Sequence, residues 1–321
     1  MSLNVINAFT KFASGGGGYD LYLDETLWFG GLSWSGATGT PRSTTQQFNG
    51  SDYTTASQTW TTKTSANTAK YLAGSCGSAG SGSGLGALFV TGSTSYNPDT
   101  RTNDLQHYKN GTWTTKANAP VAIMVNQSGG TGDGSALNSG GSSSSSGYET
   151  RCDSYDFSSN SWTGETAMSQ GRYYHSSGGS AYDNVIVICG WGNSPVAAKN
   201  NVDGWDGSSW SSLANAPSAM SHNSSGDGTP DTAMSIGGYN GSSSPNVFRT
   251  YDGSGNSWTA QSSTPVATKT TAMGAGDQDQ VIYCGGSTSN VSQTWESSGG
   301  SWVTQGNIAI TTSSTSGGGN G

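Results

Sequence analysis

The chain has 321 residues, of which 50 are glycine, 31% are hydrophobic and only 10% are charged, with a net charge of −8. Its 12 basic residues are scattered singly, which excludes the clustered cations that a nucleic-acid surface needs. Low charge with low hydrophobicity would suit a disordered chain, but 11 Trp recurring at a fixed period argue for a folded repeat.

The N-terminus, MSLNVINAFTKFASGGGG, has no basic segment followed by a sustained apolar run, so no secretory signal is expected. No stretch approaches the roughly 20 apolar residues that cross a bilayer, and membrane insertion is not expected. Residues 1–18 read as an arm that ends in the flexible run Gly15–Gly18. Leu3, Val5, Ile6 and Phe9 on that arm could dock onto a partner.

Six similar units follow. The first carries TLWFGG (Gly30, Gly31), then Phe48 and Trp60; the second has ALFVTG (Gly92), Tyr108 and Trp113. ALNSGG (Gly140, Gly141), Tyr155 and Trp162 make the third, and VIVICG (Gly190), Trp205 and Trp210 the fourth. AMSIGG (Gly237, Gly238), Tyr251 and Trp258 make the fifth, and VIYCGG (Gly285, Gly286), Trp295 and Trp302 the last. Successive Trp marks are 53, 49, 48, 48 and 44 residues apart. The first unit departs from the pattern, because Phe48 lies twelve residues before its Trp instead of five or seven.

Glycine pair, aromatic and tryptophan in this order resemble the kelch repeat, whose period is about 50 residues. The resemblance covers nearly the whole chain and is nearest in character to the degenerate, galactose-oxidase-like repeats of bacteriophage structural proteins. It implies an all-β, six-bladed kelch-like β-propeller with four-stranded antiparallel blades. The second strand of each unit would end at glycine, the third carry the aromatic, and the fourth carry the Trp that packs toward a neighbouring blade. A single such sheet cannot bury both faces, whereas a ring of sheets can. Residues 19–321 then form one domain closed by pairing of the two chain ends. In that arrangement the C-terminal NIAITTSSTSGGG joins the N-terminal LYLDETLWFGG; the rival places NAFTKFASGGGG as the inner strand of the first blade.

The resemblance implies a non-catalytic virion component, such as a tail-fibre, adhesin or decoration protein. Its expected partners are other virion proteins and host-surface glycans, with homo-oligomerisation open, and its location is the virion. Five loops after the glycine marks carry an aromatic amid Ser, Asn, Thr and Gly: Trp34, Tyr96, Tyr148, Trp191 and Tyr239. Rings in such surroundings suit ligand stacking, or fold back onto their own blade. The alternative is a galactose-oxidase-like, metal-dependent oxidoreductase. That family uses two His, two Tyr and a Cys joined to one Tyr.

Here His175 in GRYYHSSGG and His222 in SAMSHNSSG read as matching inner-strand places facing an axial channel, while His107 stands apart. No motif sets a Cys and a Tyr beside them, so no catalytic residue, metal site or cofactor is expected. Cys76, Cys152, Cys189 and Cys284 read as buried thiols. Asp133, Asp183, Asp227 and Asp277 read as turn residues between first and second strands. Arg42, Arg101, Arg151, Arg172 and Arg249 fall mostly in loops or on outer strands, and no sialidase-like arginine triad is expected from them.

Overall fold

The computed structural model describes residues 9–10, 27–35, 38–49, 59–80, 84–130, 134–143, 147–193, 195–223, 229–265, 272–276, 278, 280–285 and 291–307. Every regular element among them is a β-strand. β1 (Phe9–Thr10), β2 (Leu27–Phe29), β3 (Leu32–Ser35), β4 (Thr38–Pro41), β5 (Thr45–Asn49) and β6 (Thr59–Lys63) come first; β1-β2-β5-β6 form a sheet and β3-β4 a separate hairpin. β7 (Gly74–Gly80), β8 (Gly84–Val90), β9 (Leu105–Lys109) and β10 (Thr112–Lys116) form the second sheet. β11 (Gln127–Gly130), β12 (Ser135–Ser139), β13 (Cys152–Asp156) and β14 (Ser161–Gly164) form the third.

β15 (Arg172–Tyr173), β16 (Ser176–Ala181), β17 (Asn184–Ile188), β18 (Trp191–Asn193), β19 (Val196–Ala198), β20 (Val202–Trp205) and β21 (Trp210–Leu213) build two sheets, β16-β17-β20-β21 and the small β15-β18-β19. β22 (Thr232–Ile236), β23 (Phe248–Asp252) and β24 (Ser257–Ala260) form the fifth repeat sheet. β25 (Ala272–Gly276), β26 (Gln280–Gly285), β27 (Ser292–Glu296) and β28 (Ser301–Gln305) form the sixth. All pairings are antiparallel, and most join consecutive strands as short hairpins favour; β2–β5, β15–β18 and β17–β20 instead span intervening strands.

The aromatic and Trp marks are cross-strand partners in each of the six repeat sheets. Tyr108 faces Trp113, Tyr155 faces Trp162, Trp205 faces Trp210, Tyr251 faces Trp258 and Trp295 faces Trp302. Phe48 faces Trp60 in the same way, with ring centroids 5.3 Å apart. The long spacing in the first unit therefore lengthens the hairpin without changing the register.

Each indole then reaches back to the preceding sheet. Trp113 donates to the carbonyl of Thr64 (3.0 Å), Trp162 to Ala117 (2.8 Å), Trp210 to Thr166 (2.9 Å), Trp258 to Ala214 (2.9 Å) and Trp302 to Ser262 (2.9 Å). Every acceptor lies four residues after the previous Trp mark. Trp60 of the first sheet donates to Ser292 Oγ of the last at 2.8 Å, and that hydroxyl donates to the Gly306 carbonyl at 2.6 Å. Gly306 lies four residues after Trp302, so the hydroxyl relays the same contact between the first and last sheets.

The core is divided into slabs between adjacent sheets. Phe29, Phe89 and Trp113 join the first two sheets, and Leu88, Val90 and Tyr155 the next pair. Leu137, Val187 and Trp205, then Ile188, Ala233 and Tyr251, then Met234, Phe248 and Trp295 fill the remaining slabs. Large rings suit this plan, because each buries about 150–250 Å² against a neighbour from a short strand.

Strand β1 pairs with β2, Phe9 opposite Trp28, and lies beside both β7 and β25. The segment expected as an arm thus supplies the strand next to β2 at Phe9–Thr10, as in the rival arrangement. The C-terminal segment expected to close the ring lies beyond the described residues, as do Leu3, Val5, Ile6 and Gly15–Gly18.

The glycine marks sit where the next repeat crosses. Gly141 has φ +95° and donates its N–H to the Arg172 carbonyl at 2.9 Å. A Cβ there would lie 2.5 Å from Ile123 Cγ2 and 2.8 Å from the Met124 carbonyl. Gly141→Ala is expected to lose about 1–3 kcal/mol from backbone strain alone, with the clash adding to it. A urea unfolding curve checks this, and an unshifted midpoint would refute it.

Candidate functional site

The loop face is built on the segments that link one sheet to the next. Four of them pass through left-handed backbone at Leu72 (φ 53°), Val125 (φ 56°), Tyr174 (φ 53°) and His222 (φ 55°). Val125 N–H donates to Leu72 O (2.7 Å), Tyr174 N–H to Val125 O (3.3 Å) and His222 N–H to Tyr174 O (2.8 Å). The residues just before them, Tyr71, Met124, Tyr173 and Ser221, pair with Ser93, Ser142, Trp191 and Tyr239 of the loops after the glycine marks. Each linker is therefore held from two sides, and its strained backbone is over-determined.

Between two of these loops lies a cleft of about 440 Å³, lined by Pro98, Asp99, Arg101, Met124, Val125, Ser142, Gly147, Tyr148, Tyr173 and Tyr174. The Tyr148 and Tyr173 rings are 5.0 Å apart and the Tyr173 and Tyr174 rings 4.7 Å. Burial pushes the Tyr173 phenol up to about 12, and burial raises Tyr174 further. Both stay protonated donors at neutral pH. Arg101 donates Nε–H to the Ser142 carbonyl at 3.0 Å. Asp99 accepts from the Tyr71 hydroxyl; partial burial raises its carboxyl, and Arg101 opposes that rise. Three phenols, a carboxylate and a guanidinium over an apolar floor can hydrogen-bond and stack on a small polar ligand.

Of the five loop aromatics expected to bind ligand, Tyr148 lines this cleft. Tyr96 is exposed and packs against Tyr71, with centroids 6.3 Å apart. Trp191 and Tyr239 stack on each other, 6.4 Å apart and 13° from parallel, and the Tyr239 hydroxyl donates to the Gly241 carbonyl at 2.6 Å. Trp34 lies on β3 opposite Gly39 of β4, and its side chain is outside the described residues. Tyr173, Tyr174, Asp99 and Met124 are not singled out in the sequence, and Arg101 stands there only as a loop or outer-strand arginine. The signal for the tyrosines was the YY pair in the linker, at the places of Tyr71–Leu72 and Met124–Val125 in earlier repeats.

The two histidines do not match. His222 takes the strained linker place of Tyr174 and stacks on that ring at 3.6 Å. His175 lies one residue further on, where Asn126 and Asn223 lie in neighbouring repeats. It faces no channel: it is fully buried, with Nε2 3.2 Å from Ser139 Oγ and its carbons packed on Gly140 and Gly190. His107 is buried edge-on to Phe157, with centroids 4.9 Å apart. No group of three or more His, Cys, Asp or Glu among the described residues could hold a metal ion.

Cys76, Cys152 and Cys189 are buried, and burial pushes the thiols of Cys152 and Cys189 to about 12. The Cys284 side chain, Asp133, Asp227 and Asp277 lie outside the described residues; Asp183 sits in the turn between β16 and β17. Arg172 is not a loop residue in the solvent but a buried partner of Asp203. Lys70 holds the same place in an earlier repeat. It donates to the Phe89 and Asp104 carbonyls at 3.0 and 2.9 Å, and burial lowers it to about 8.

These repeated antiparallel sheets define a propeller-like, all-β protein. The solved structure of YjhT is similar to this chain, with a TM-score of 0.64 over 94% of this chain and 98% of that one. The two are 12% identical, a likeness of fold alone. The chain matches no family model and no curated protein.

Proposed function

We propose that the protein is a six-bladed, kelch-like propeller that serves as a non-catalytic recognition module on a virion, as tail fibre, adhesin or decoration protein, and contacts host-surface glycans. The repeated indole bond supports the ring, including its relayed form between Trp60 and Gly306. The observation that carries the recognition reading is the tyrosine cleft, where Tyr148, Tyr173 and Tyr174 stand beside Asp99 and Arg101. Aromatic faces stack on the apolar faces of sugar rings, while phenol, carboxylate and guanidinium bond hydroxyls. Modest affinity per site would be multiplied by copies on the particle. The scarcity of charge and the Ser/Thr/Gly-rich surface fit an exposed particle component.

The test is a glycan-array screen of the whole protein, with metal content measured on the same unchelated preparation. Binding to a glycan is expected, weakened about tenfold or more by Tyr148→Ala, which corresponds to about 1.4 kcal/mol. Absence of binding, or binding indifferent to both Tyr148→Ala and Arg101→Ala, would refute the assignment. Stoichiometric transition metal would turn the reading toward an oxidoreductase.

A further inference from the structure

Resting on the recognition reading, we infer that the cleft takes the uncharged terminal unit of a glycan end-on, and not an internal stretch of chain. Its volume of about 440 Å³ lies at the lower end of the roughly 300–1,000 Å³ typical of ligand clefts. That is room for a sugar unit or two. The floor is closed: Val125 is 3% exposed, and its carbonyl accepts the Tyr174 N–H. The strand that follows Val125, β11, packs closely on β16, since a Cβ on Gly129 would lie 2.8 Å from the Gly178 carbonyl. Walls rise on both sides, from Pro98–Arg101 and from Gly147–Tyr148 with Tyr173. A chain end can enter such a pit, whereas a continuous strand would have to leave it again.

The polar groups select the kind of unit. Among the described residues, Arg101 is bonded through its side chain only at Nε, toward the Ser142 carbonyl, and its terminal nitrogens have no partner there. Asp99 accepts from Tyr71 through one oxygen, and no described residue bonds the other. The Tyr174 hydroxyl likewise has no partner among the described residues and lines the cleft. The Arg101 guanidinium and the Asp99 carboxylate line the same cleft with opposite charges, and Arg101 counters the burial of Asp99 electrostatically. Together they suit neighbouring hydroxyls, one donating to Asp99 and one accepting from Arg101. A carboxylate on the ligand would gain Arg101 but meet Asp99 as a like charge.

The experiment is competition against the best glycan found on the array, using free glucose, galactose, mannose, N-acetylglucosamine, rhamnose and glucuronate. At least one neutral sugar is expected to displace the glycan, and glucuronate is expected not to. Exoglycosidase removal of the terminal unit should lower binding tenfold or more. In Asp99→Asn, where an oxygen still accepts from Tyr71, glucuronate should gain about tenfold in competition because the opposing charge is gone. Glycan binding that survives terminal trimming, that no free neutral sugar displaces, or that glucuronate displaces best in the unaltered protein would overturn the inference while leaving the recognition reading intact. Absence of any glycan binding would sink both.

Discussion

Replacing Arg172 with alanine is expected to lower folding stability by about 3–5 kcal/mol, the usual cost of breaking a buried ion pair from one side. The guanidinium is fully enclosed between the third and fourth sheets. It bonds the Asp203 carboxylate and donates to the Cys189 and Asn201 carbonyls at 3.3 and 3.2 Å. Removing it strands Asp203 as an uncompensated buried charge and takes the donor from the Cys189 carbonyl, while the Asn201 carbonyl keeps the Cys189 N–H. The neighbouring repeats show how the place can be filled without charge. Ile123 and Met220 occupy it, their carbonyls accepting from Gly92 and Gly190 as that of Arg172 accepts from Gly141. The double change Arg172→Met with Asp203→Leu is therefore expected to recover most of the loss. Urea unfolding of the three proteins checks this. A small loss in Arg172→Ala, or a double variant no better than the single, would show that the pair is not what holds these sheets together.

The second large effect is acid sensitivity centred on His175. Burial, with Arg172 adding a smaller push in the same direction, lowers its imidazole from 6.5 to about 3. Between those values the unfolded chain carries a proton that the folded chain refuses, so stability falls as the pH drops from about 6.5 toward 3. Each pH unit in that window removes up to about 1.4 kcal/mol through this one group. His222 is also lowered by burial, to about 3, and adds in the same direction, though it is less enclosed. Asn126 and Asn223 hold the place of His175 in adjacent repeats, so His175→Asn is a substitution that the fold already accommodates. It should flatten the fall in urea midpoint between pH 7 and pH 4. Parallel pH dependences in the two proteins would show that the buried imidazole is not the titrating element.

Much of this architecture was legible along the chain. The alternation of glycine marks and tryptophans located the strand ends and the outer strands, because each mark has a local physical requirement. Gly141 needs positive φ and space for a crossing chain, and each Trp needs a cross-strand aromatic. Phe48 looked out of pattern only because spacing along the chain measures hairpin length and not register. The match between His175 and His222 failed for the opposite reason. Both lie in similar stretches, yet a shift of one residue separates a strained linker position from a buried inner one. The cleft was only partly visible: Tyr148 could be picked out as a loop aromatic, but Asp99 and Arg101 belong to another repeat, and Tyr173–Tyr174 looked like strand.

The sequence by itself therefore determined the repeated antiparallel units, their order along the chain and the aromatic pairs within them, because those depend on contacts between neighbours in the chain; the small β3–β4 and β15–β18–β19 sheets were not legible in it. Tertiary structure alone decided what lies between sheets: the indole bonds to the previous repeat, the buried Arg172–Asp203 pair and the gathering of Tyr148, Tyr173, Tyr174, Asp99 and Arg101 around one cleft. Such contacts join residues tens of positions apart, where a repeat's own pattern carries no record of which side chain faces which.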